Sequence, residues 1–101
     1  MWYNSLMNII TSKSNNGIKK VKKLHQKKYR TDSYLIEGWH LYEEAINHQA
    51  PIEQVFVLEE FVDKIKKDTK VTVVSPEVLA EIADSKSPQG IVAEIKIQPI
   101  Q

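Results

Sequence analysis

The longest unbroken apolar run of this chain is Val55-Phe56-Val57-Leu58. A continuous apolar run of this length suits a strand that is covered on both faces of a sheet. Two acids follow it directly, and three lysines come next at Lys64, Lys66 and Lys67. Acids before bases is the polarity that a helix dipole favours. The sequence therefore predicts a buried strand followed by a helix.

The same order is repeated downstream of this unit. Val71, Val73 and Val74 predict a second strand, and Ser75-Pro76 is a strong helix start, with serine as N-cap and proline at the first helical position. A polar stretch from Asp84 to Gln89 then predicts a loop. The last strand, 91–97, alternates apolar and polar residues in its second half, which predicts an edge strand exposed on one face.

Upstream of the apolar run, the pattern is again a strand followed by a helix. Tyr34-Leu35-Ile36 predicts a short strand, and a helix follows from Trp39 to about Asn47, before Pro51. Residues 17–29 predict an amphipathic first helix. Its apolar stripe, expected to face the body of the domain, is formed by Ile18, Val21, Leu24 or His25, and Tyr29.

The predicted order is one helix, then strand and helix three times, then a final strand. Such alternation is typical of a parallel or mixed sheet with helices on both faces. We therefore expect the α/β class, a three-layer α/β/α sandwich with a mixed, mainly parallel sheet. With 101 residues, the chain is long enough for one such domain.

Composition excludes several classes of site. The chain has no cysteine, so disulfides, thiolate nucleophiles and sulfur-ligated zinc are excluded. Its three glycines, Gly17, Gly38 and Gly90, are too far apart for either glycine-rich nucleotide-binding loop. The sequence shows no membrane span or secretory signal, so we expect a cytoplasmic protein that does not bind membranes.

The histidines and serines do not indicate catalysis. His25, His40 and His48 lack a second ligand at convincing metal spacing, although His40 and Glu44 are four residues apart. No serine lies in a nucleophile-elbow motif. Trp39 and Tyr42 are interpreted as core residues rather than as a platform for bases. We therefore expect no catalytic, cofactor-binding or metal-binding residues.

Charge is distributed very unevenly along the chain, although its net charge is only +1. Residues 1–30 contain eight basic residues and no acid, whereas the remaining 71 contain six lysines and all 13 acids. A solvated lysine-rich helix face is one interpretation. However, like charges four residues apart, as in Lys19/Lys23 and Lys23/Lys27, destabilise a helix. Binding to a polyanion offsets that cost and is the alternative interpretation.

Several stretches together resemble one known family. They are Ile10-Thr11-Ser12, Asn16, Ile18 to Leu24 with its lysines, Lys28-Tyr29-Arg30, Tyr34-Leu35-Ile36-Glu37-Gly38, Glu44-Ala45, Val74-Ser75 and Ser87-Pro88-Gln89-Gly90-Ile91-Val92-Ala93. The chain resembles the N-terminal substrate-binding domain of the SpoU/TrmH family of RNA 2′-O-ribose methyltransferases. The most specific parts are the Leu-Ile-Glu-Gly and Pro-Gln-Gly-Ile-Val-Ala stretches.

This resemblance implies a domain similar to the ribosomal proteins that recognise kink-turn RNA. It also implies a separate knotted catalytic domain, absent from this chain, that binds S-adenosylmethionine and forms the dimer. On this basis we expect an N-terminal extension at 1–8, an RNA substrate-binding domain at 9–97, and the start of a linker at 98–101. The chain alone is expected to bind no cofactor and to have no methyltransferase activity.

The leading hypothesis is a domain that holds structured RNA, ribosomal RNA in particular, for 2′-O-methylation. The alternative is a ribosome-associated or protein-interaction module without an enzymatic context. The predicted phosphate contacts lie mainly in residues 1–30, the basic segment. Of its basic residues, the arginine is best suited to bidentate binding. The candidate RNA-binding residues are Lys19, Lys20, Lys23, Lys27, Lys28 and Arg30, with Lys86 and Gln89 as additional contacts from the loop.

Overall fold

Four strands form one sheet in the computed structural model, which describes residues 9–66, 68–83 and 89–97. The strands are β1 (Ser33–Glu37), β2 (Ile52–Val57), β3 (Val71–Val73) and β4 (Ile91–Lys96), and their order in the sheet is β1-β4-β2-β3. Ile10 adds an isolated parallel bridge to Val74, just after β3. The N-terminal segment therefore reaches the sheet beside β3 before the first helix begins.

Helices cover both faces of this sheet. The α-helices are α1 (Asn16–Lys22), α2 (Trp39–Asn47) and α3 (Pro76–Ile82), and a 3₁₀ helix (Glu59–Lys64) connects β2 to β3. Ile18 of α1 and Leu79 of α3 pack in one buried cluster, whereas Tyr42 of α2 packs in the other. The predicted three-layer α/β/α architecture is therefore confirmed.

The alternation of side chains along the strands divides the core into its two halves. Phe56 and Val92 point to the layer of α1 and α3, whereas their neighbours Val55 and Val57 pack with α2 and Ile65. Successive residues of a strand point to opposite faces. The continuous apolar run in β2 is therefore buried on both faces, as predicted.

The sheet is mixed, but the prediction that it is mainly parallel is wrong. β4 pairs antiparallel with both β1 and β2, and only β2 and β3 form a parallel pair of strands. β1, β2 and β3 do run in the same direction, as the strand-helix alternation predicts. However, β4 lies between β1 and β2, and this insertion replaces one parallel pairing with two antiparallel ones.

For the same reason, the prediction that β4 is an edge strand is wrong. β4 is an inner strand, and the edges of the described sheet are β1 and β3. Its alternating second half arises because Glu94 is polar yet only half-buried, and it receives hydrogen bonds from Ser33 on β1 and Gln54 on β2. A polar residue in a strand can thus mark a hydrogen-bonded position inside a sheet as well as an exposed edge.

The first helix is shorter than the predicted 17–29. Asn15 caps α1 by accepting hydrogen bonds from the amides of Gly17 and Ile18, but α-helical winding ends at Lys22. Two short 3₁₀ turns follow, Lys23–His25 and Lys27–Tyr29, separated by the extended Gln26. The like-charged lysines four residues apart disfavour a longer α-helix.

The predicted third helix is also wound differently. Glu59–Lys64 forms a 3₁₀ helix, in which Phe61 N donates to Leu58 O at 2.9 Å. Charge polarity favours a helix here but does not fix its winding. By contrast, α3 begins as predicted, because Ser75 Oγ accepts from Val78 N at 3.3 Å and Pro76 occupies the first turn. None of the described helices is long and apolar enough to span a membrane.

Candidate nucleic-acid interface

A groove of about 740 Å³ lies at the end of the sheet where β1 begins and β4 ends. One wall is α1 with the 3₁₀ turn that follows it, and the other is formed by the strand ends. Strand register brings these elements together, since Ser33 pairs with Lys96 and Gln54 with Glu94. The groove is lined by four lysines, Lys20, Lys23, Lys70 and Lys96, by three acids, Asp32, Glu53 and Glu94, and by Tyr29.

The four lysines come from three distant parts of the chain. Lys20 and Lys23 belong to the basic segment, Lys70 precedes β3, and Lys96 ends β4. All four are exposed, and none forms an ion pair with a carboxylate of the described residues. Unpaired ammonium groups around one concave surface are typical of a site that binds phosphate groups.

Glu94 is the best-fixed acid of the groove. Its two carboxylate oxygens accept separate hydrogen bonds, from Ser33 Oγ at 2.6 Å and from Gln54 Nε2 at 2.8 Å. Ser33 is buried, and Gln54 and Glu94 are half-buried. The network joins three strands, so the carboxylate is held in one place at the sheet end.

Tyr29 is exposed, contrary to its predicted place in the apolar stripe of the first helix. The exposed fraction of Tyr29 is 42%, because the chain leaves the α-helical path after Lys22. The ammonium groups of Lys23 and Lys28 lie 5.6 Å and 5.1 Å from the centre of its ring. An exposed aromatic ring between cations can stack on a nucleic-acid base.

The predicted lysines do not all reach this groove. Lys19, Lys20, Lys23, Lys27 and Lys28 are exposed, but only Lys20 and Lys23 of this set line it. Lys28 lies beside it through its contact with Tyr29. The role of these residues in RNA binding remains a prediction.

Arg30 has a structural contact that the sequence did not indicate. Its Nε donates to Leu24 O at 2.5 Å and its Nη2 donates to His25 O at 2.9 Å. Both carbonyls lie where the α-helix has already ended, so they lack the backbone partners of a continuous helix. The guanidinium therefore caps the turn. The predicted contact of Arg30 with phosphate competes for the same N–H donors, Nε and Nη2.

Lys22 differs from its neighbours on α1 because it has an acidic partner. Its ammonium group donates to Glu81 Oε2 on α3, and Lys13 lies 3.9 Å from the other carboxylate oxygen. The hydrogen bond from Lys22 and its positive charge hold the pKa of Glu81 below its ordinary value. Lys22 therefore connects α1 to α3, and Lys13 connects the segment before α1 to α3.

Gln89 lies at the other end of β4 from the groove. Its carbonyl accepts from Trp39 Nε1 at 2.8 Å, and its side chain accepts from Trp39 N at the start of α2. Five residues of β1 separate the two ends, which is roughly 16 Å at the usual rise of a strand. Gln89 thus does not join the lysine groove, and Lys86 lies outside the described residues.

Sequence reasoning missed six charged or aromatic residues of the groove: Tyr29, Asp32, Glu53, Lys70, Glu94 and Lys96. Lys70 and Lys96 lie in the acidic part of the chain, where no local pattern distinguishes them from other exposed lysines. The flanking basic residues Lys28 and Arg30 are the one signal that was available for Tyr29. Cations on both sides of an aromatic residue indicate an exposed ring rather than a core residue.

Neither a metal cluster nor an open glycine-backed cofactor loop occurs among the described residues. No group of three metal-ligating side chains occurs among them, and His40 pairs with Glu44 at 3.5 Å. The space beside each glycine backbone is taken by this chain itself: Gln89 stands against Gly38 and the Phe61 ring against Gly90. These glycines thus do not fit a nucleotide-like cofactor.

Fold and groove together define an α/β/α domain with a basic surface. A family model described as the MRM3-like substrate binding domain matches residues 15–93. The chain belongs to this family, which confirms the resemblance to the substrate-binding domain of SpoU/TrmH enzymes that the sequence analysis identified.

Two methyltransferases illustrate the relationship. The 23S rRNA (guanosine(2553)-2′-O)-methyltransferase RlmP of Bacillus subtilis strain 168 is 33% identical over 93 residues, covering 86% of this chain and 37% of that protein. The solved structure of an RNA 2′-O ribose methyltransferase is 28% identical, with a TM-score of 0.76, over 88% of this chain and 37% of its own.

A third relationship concerns the fold alone. The AdoMet-bound rRNA methyltransferase from Sinorhizobium meliloti is 24% identical, with a TM-score of 0.75, over 91% of this chain and 37% of its own. In all three comparisons this chain spans 37% of the length of its relative.

Proposed function

We propose that this domain holds structured RNA, ribosomal RNA in particular, for 2′-O-ribose methylation by a catalytic domain outside this chain. The observation that carries the proposal is the convergence of four unpaired lysines around one groove. The family and the names of the relatives supply the reaction and the class of RNA.

The groove accounts for RNA binding, whereas methyl transfer belongs to the catalytic domain. Its lysines bind the phosphates of the RNA backbone, which fixes the position and orientation of the RNA without reading its sequence. We expect the methyl donor of the whole enzyme to be S-adenosylmethionine, because an rRNA methyltransferase of the same fold was solved with AdoMet bound. The family resemblance implies that the catalytic domain binds this cofactor and forms the dimer. This chain supplies binding and orientation, and alone it transfers no methyl group.

Equilibrium binding across a salt series tests the proposal. The chain is titrated with folded ribosomal RNA fragments and with duplex DNA of equal charge. We expect the RNA to bind more tightly. We also expect the double variant Lys20→Glu/Lys23→Glu to lose affinity and about 0.7 to 0.9 of the log-log salt slope for each lost phosphate contact.

The matched control carries the same charge change on the opposite layer. Lys64→Glu/Lys66→Glu alters two exposed lysines beside the α2 face that do not line the groove. RNA binding is expected to change little in this control. Equal losses in both double variants, or no preference for RNA over DNA, would refute the groove as the RNA site and favour the protein-interaction module.

A further inference from the structure

The groove contains carboxylates that a surface for phosphate groups alone does not need. Asp32, Glu53 and Glu94 line it together with the four lysines. A carboxylate repels the phosphates of RNA, so its presence among phosphate-binding lysines favours a second kind of contact with the ligand. Ionised carboxylates only accept hydrogen bonds. Their natural partner in a nucleotide is an amino group of the base.

Glu94 is suited to such a contact because its position is fixed before any ligand binds. Ser33 donates one hydrogen bond to one of its oxygens, and Gln54 donates one to the other. A carboxylate has about four acceptor positions, so about two remain. Acceptor capacity therefore remains on a side chain that lines the groove. No rearrangement of the side chain is needed, which lowers the entropic cost of binding.

Tyr29 supplies the other half of a site for a base. Its ring is exposed at the same groove, and the ammonium groups of Lys23 and Lys28 lie over it. A base that stacks on the ring displaces one of these flexible side chains, which is then free to contact a phosphate. Stacking on an aromatic ring contributes about 1 to 3 kcal/mol per base in single-stranded sites and tolerates every base. The tyrosine provides affinity for any base, and the carboxylate discriminates bases with an exocyclic amino group from bases without one.

We propose that the groove binds one unpaired nucleotide whose base carries an exocyclic amino group. Its phosphates contact the lysines, its base stacks on Tyr29, and its amino group donates to Glu94. The volume of about 740 Å³ is ample for one nucleotide. This inference rests on the proposed function, because it assigns part of the same RNA to the same groove.

The test uses a hairpin RNA whose stem carries a single bulged nucleotide, prepared as guanosine, inosine, cytidine or uridine, with the loop kept constant. Inosine is guanosine without its amino group, and uridine has a carbonyl where cytidine has an amino group. Wild-type protein is expected to bind guanosine over inosine, and cytidine over uridine, by about tenfold, the effect of one hydrogen bond to a charged group.

The variant Glu94→Gln is expected to abolish most of this preference while retaining RNA binding. Glu77→Gln is its matched control, because Glu77 is an exposed glutamate in the first turn of α3 and does not line the groove. Tyr29→Leu is expected to weaken binding of all four hairpins alike. The wild-type preference is measured without any variant, so it remains decisive even where Glu94→Gln is less stable.

The possible failures are distinguishable. Tight binding of all four hairpins with equal affinity by wild-type protein overturns the base contact but leaves the proposed function intact. A preference that survives in Glu94→Gln overturns the assignment of the base contact to Glu94. No binding of any hairpin or ribosomal fragment overturns the proposed function and this inference together.

Discussion

Lysines that look alike in the sequence have different environments in the fold. Lys22 donates to Glu81, whereas Lys20 and Lys23 have no acidic partner among the described residues. An exposed ion pair contributes little to stability, but it reduces the charge that is available to a ligand. The binding surface therefore includes fewer lysines than the run of basic residues contains.

The pKa of Glu81 depends on its ion pair with Lys22. Because Lys22 lowers the pKa, the pairing stabilises the fold above the ordinary value of 4.5, and this stabilisation is lost as the pH falls through the lowered value. In the variant Lys22→Gln we expect the pKa of Glu81 to rise towards its ordinary value. A pH titration of the Glu81 carboxyl carbon by NMR measures it, and an unchanged midpoint contradicts the pairing.

Two glycines with positive φ are predicted to differ in their tolerance of a side chain. Gly90 has φ +93°, and an added Cβ would lie 2.5 Å from the Phe61 ring. At Gly38, with φ +96°, the added Cβ would meet only the flexible end of Gln89 at 3.0 Å. Both alanine variants bear about 1 to 3 kcal/mol of backbone strain. Overpacking adds about 1 to 3 kcal/mol in Gly90→Ala.

Urea unfolding of the two variants measures the difference. We expect Gly90→Ala to have the lower free energy of unfolding. Equal losses would show that the Phe61 ring moves aside without cost.

At the scale of elements, the basic segment is a short helix followed by turns, and this form determines what it exposes. The end of α1 at Lys22 turns the chain so that Tyr29 is exposed instead of buried. Arg30 makes this ending possible, because it caps the carbonyls of Leu24 and His25. His25 in turn donates from Nε2 to Ile82 O, at the end of α3, at 2.5 Å. His25 thus connects the turn after α1 to the end of α3, and Arg30 connects the chain just before β1 to the same turn.

Arg30→Lys separates the capping role of this residue from phosphate binding. Lysine keeps the positive charge but cannot reach both carbonyls with one planar group. We expect the free energy of unfolding to fall by about 1 kcal/mol, since one hydrogen bond of ordinary strength is lost. The salt slope of RNA binding is expected to stay constant. A reduced slope with unchanged stability would instead identify Arg30 as a phosphate contact.

At the scale of the whole molecule, the sheet assembles the binding groove from distant segments. Lys96 joins Lys20 and Lys23 because β4 runs back beside β1, and Lys70 joins them because β3 follows β2 in parallel. The acidic part of the chain thus contributes half of the groove's lysines. The fold places basic residues on one surface although they are far apart in the sequence.

Lys70→Gln/Lys96→Gln tests this assembly. If both lysines contact phosphate, the salt slope of RNA binding should fall by about 0.7 to 0.9 for each of them. The control is Lys19→Gln/Lys27→Gln, which removes two lysines of the basic segment that do not line the groove. A larger loss in the control would show that the basic segment binds RNA without the groove.

Hydrogen exchange tests the position of β4 in the sheet. An inner strand is paired on both sides, whereas β1 is paired only with β4. We therefore expect the amides of Val92 and Ala93 to exchange more slowly than those of Leu35 and Ile36, because opening β4 disrupts most of the sheet. Faster exchange in β4 than in β1 would contradict this strand order.

The sequence alone determined the layers, most of the strands and helices, the family and the basic segment. These features depend on local signals: apolar runs such as 55–58, the Ser75-Pro76 cap, and eight basic residues without an acid. Strand order was decided only by the tertiary structure, because β4 could pair with any strand of suitable length. The groove, with Lys70, Lys96 and Glu94 beside the basic segment, depends on that choice of partner. Strand order consists of contacts between residues distant in the sequence, and no local pattern of one strand specifies which strand pairs with it.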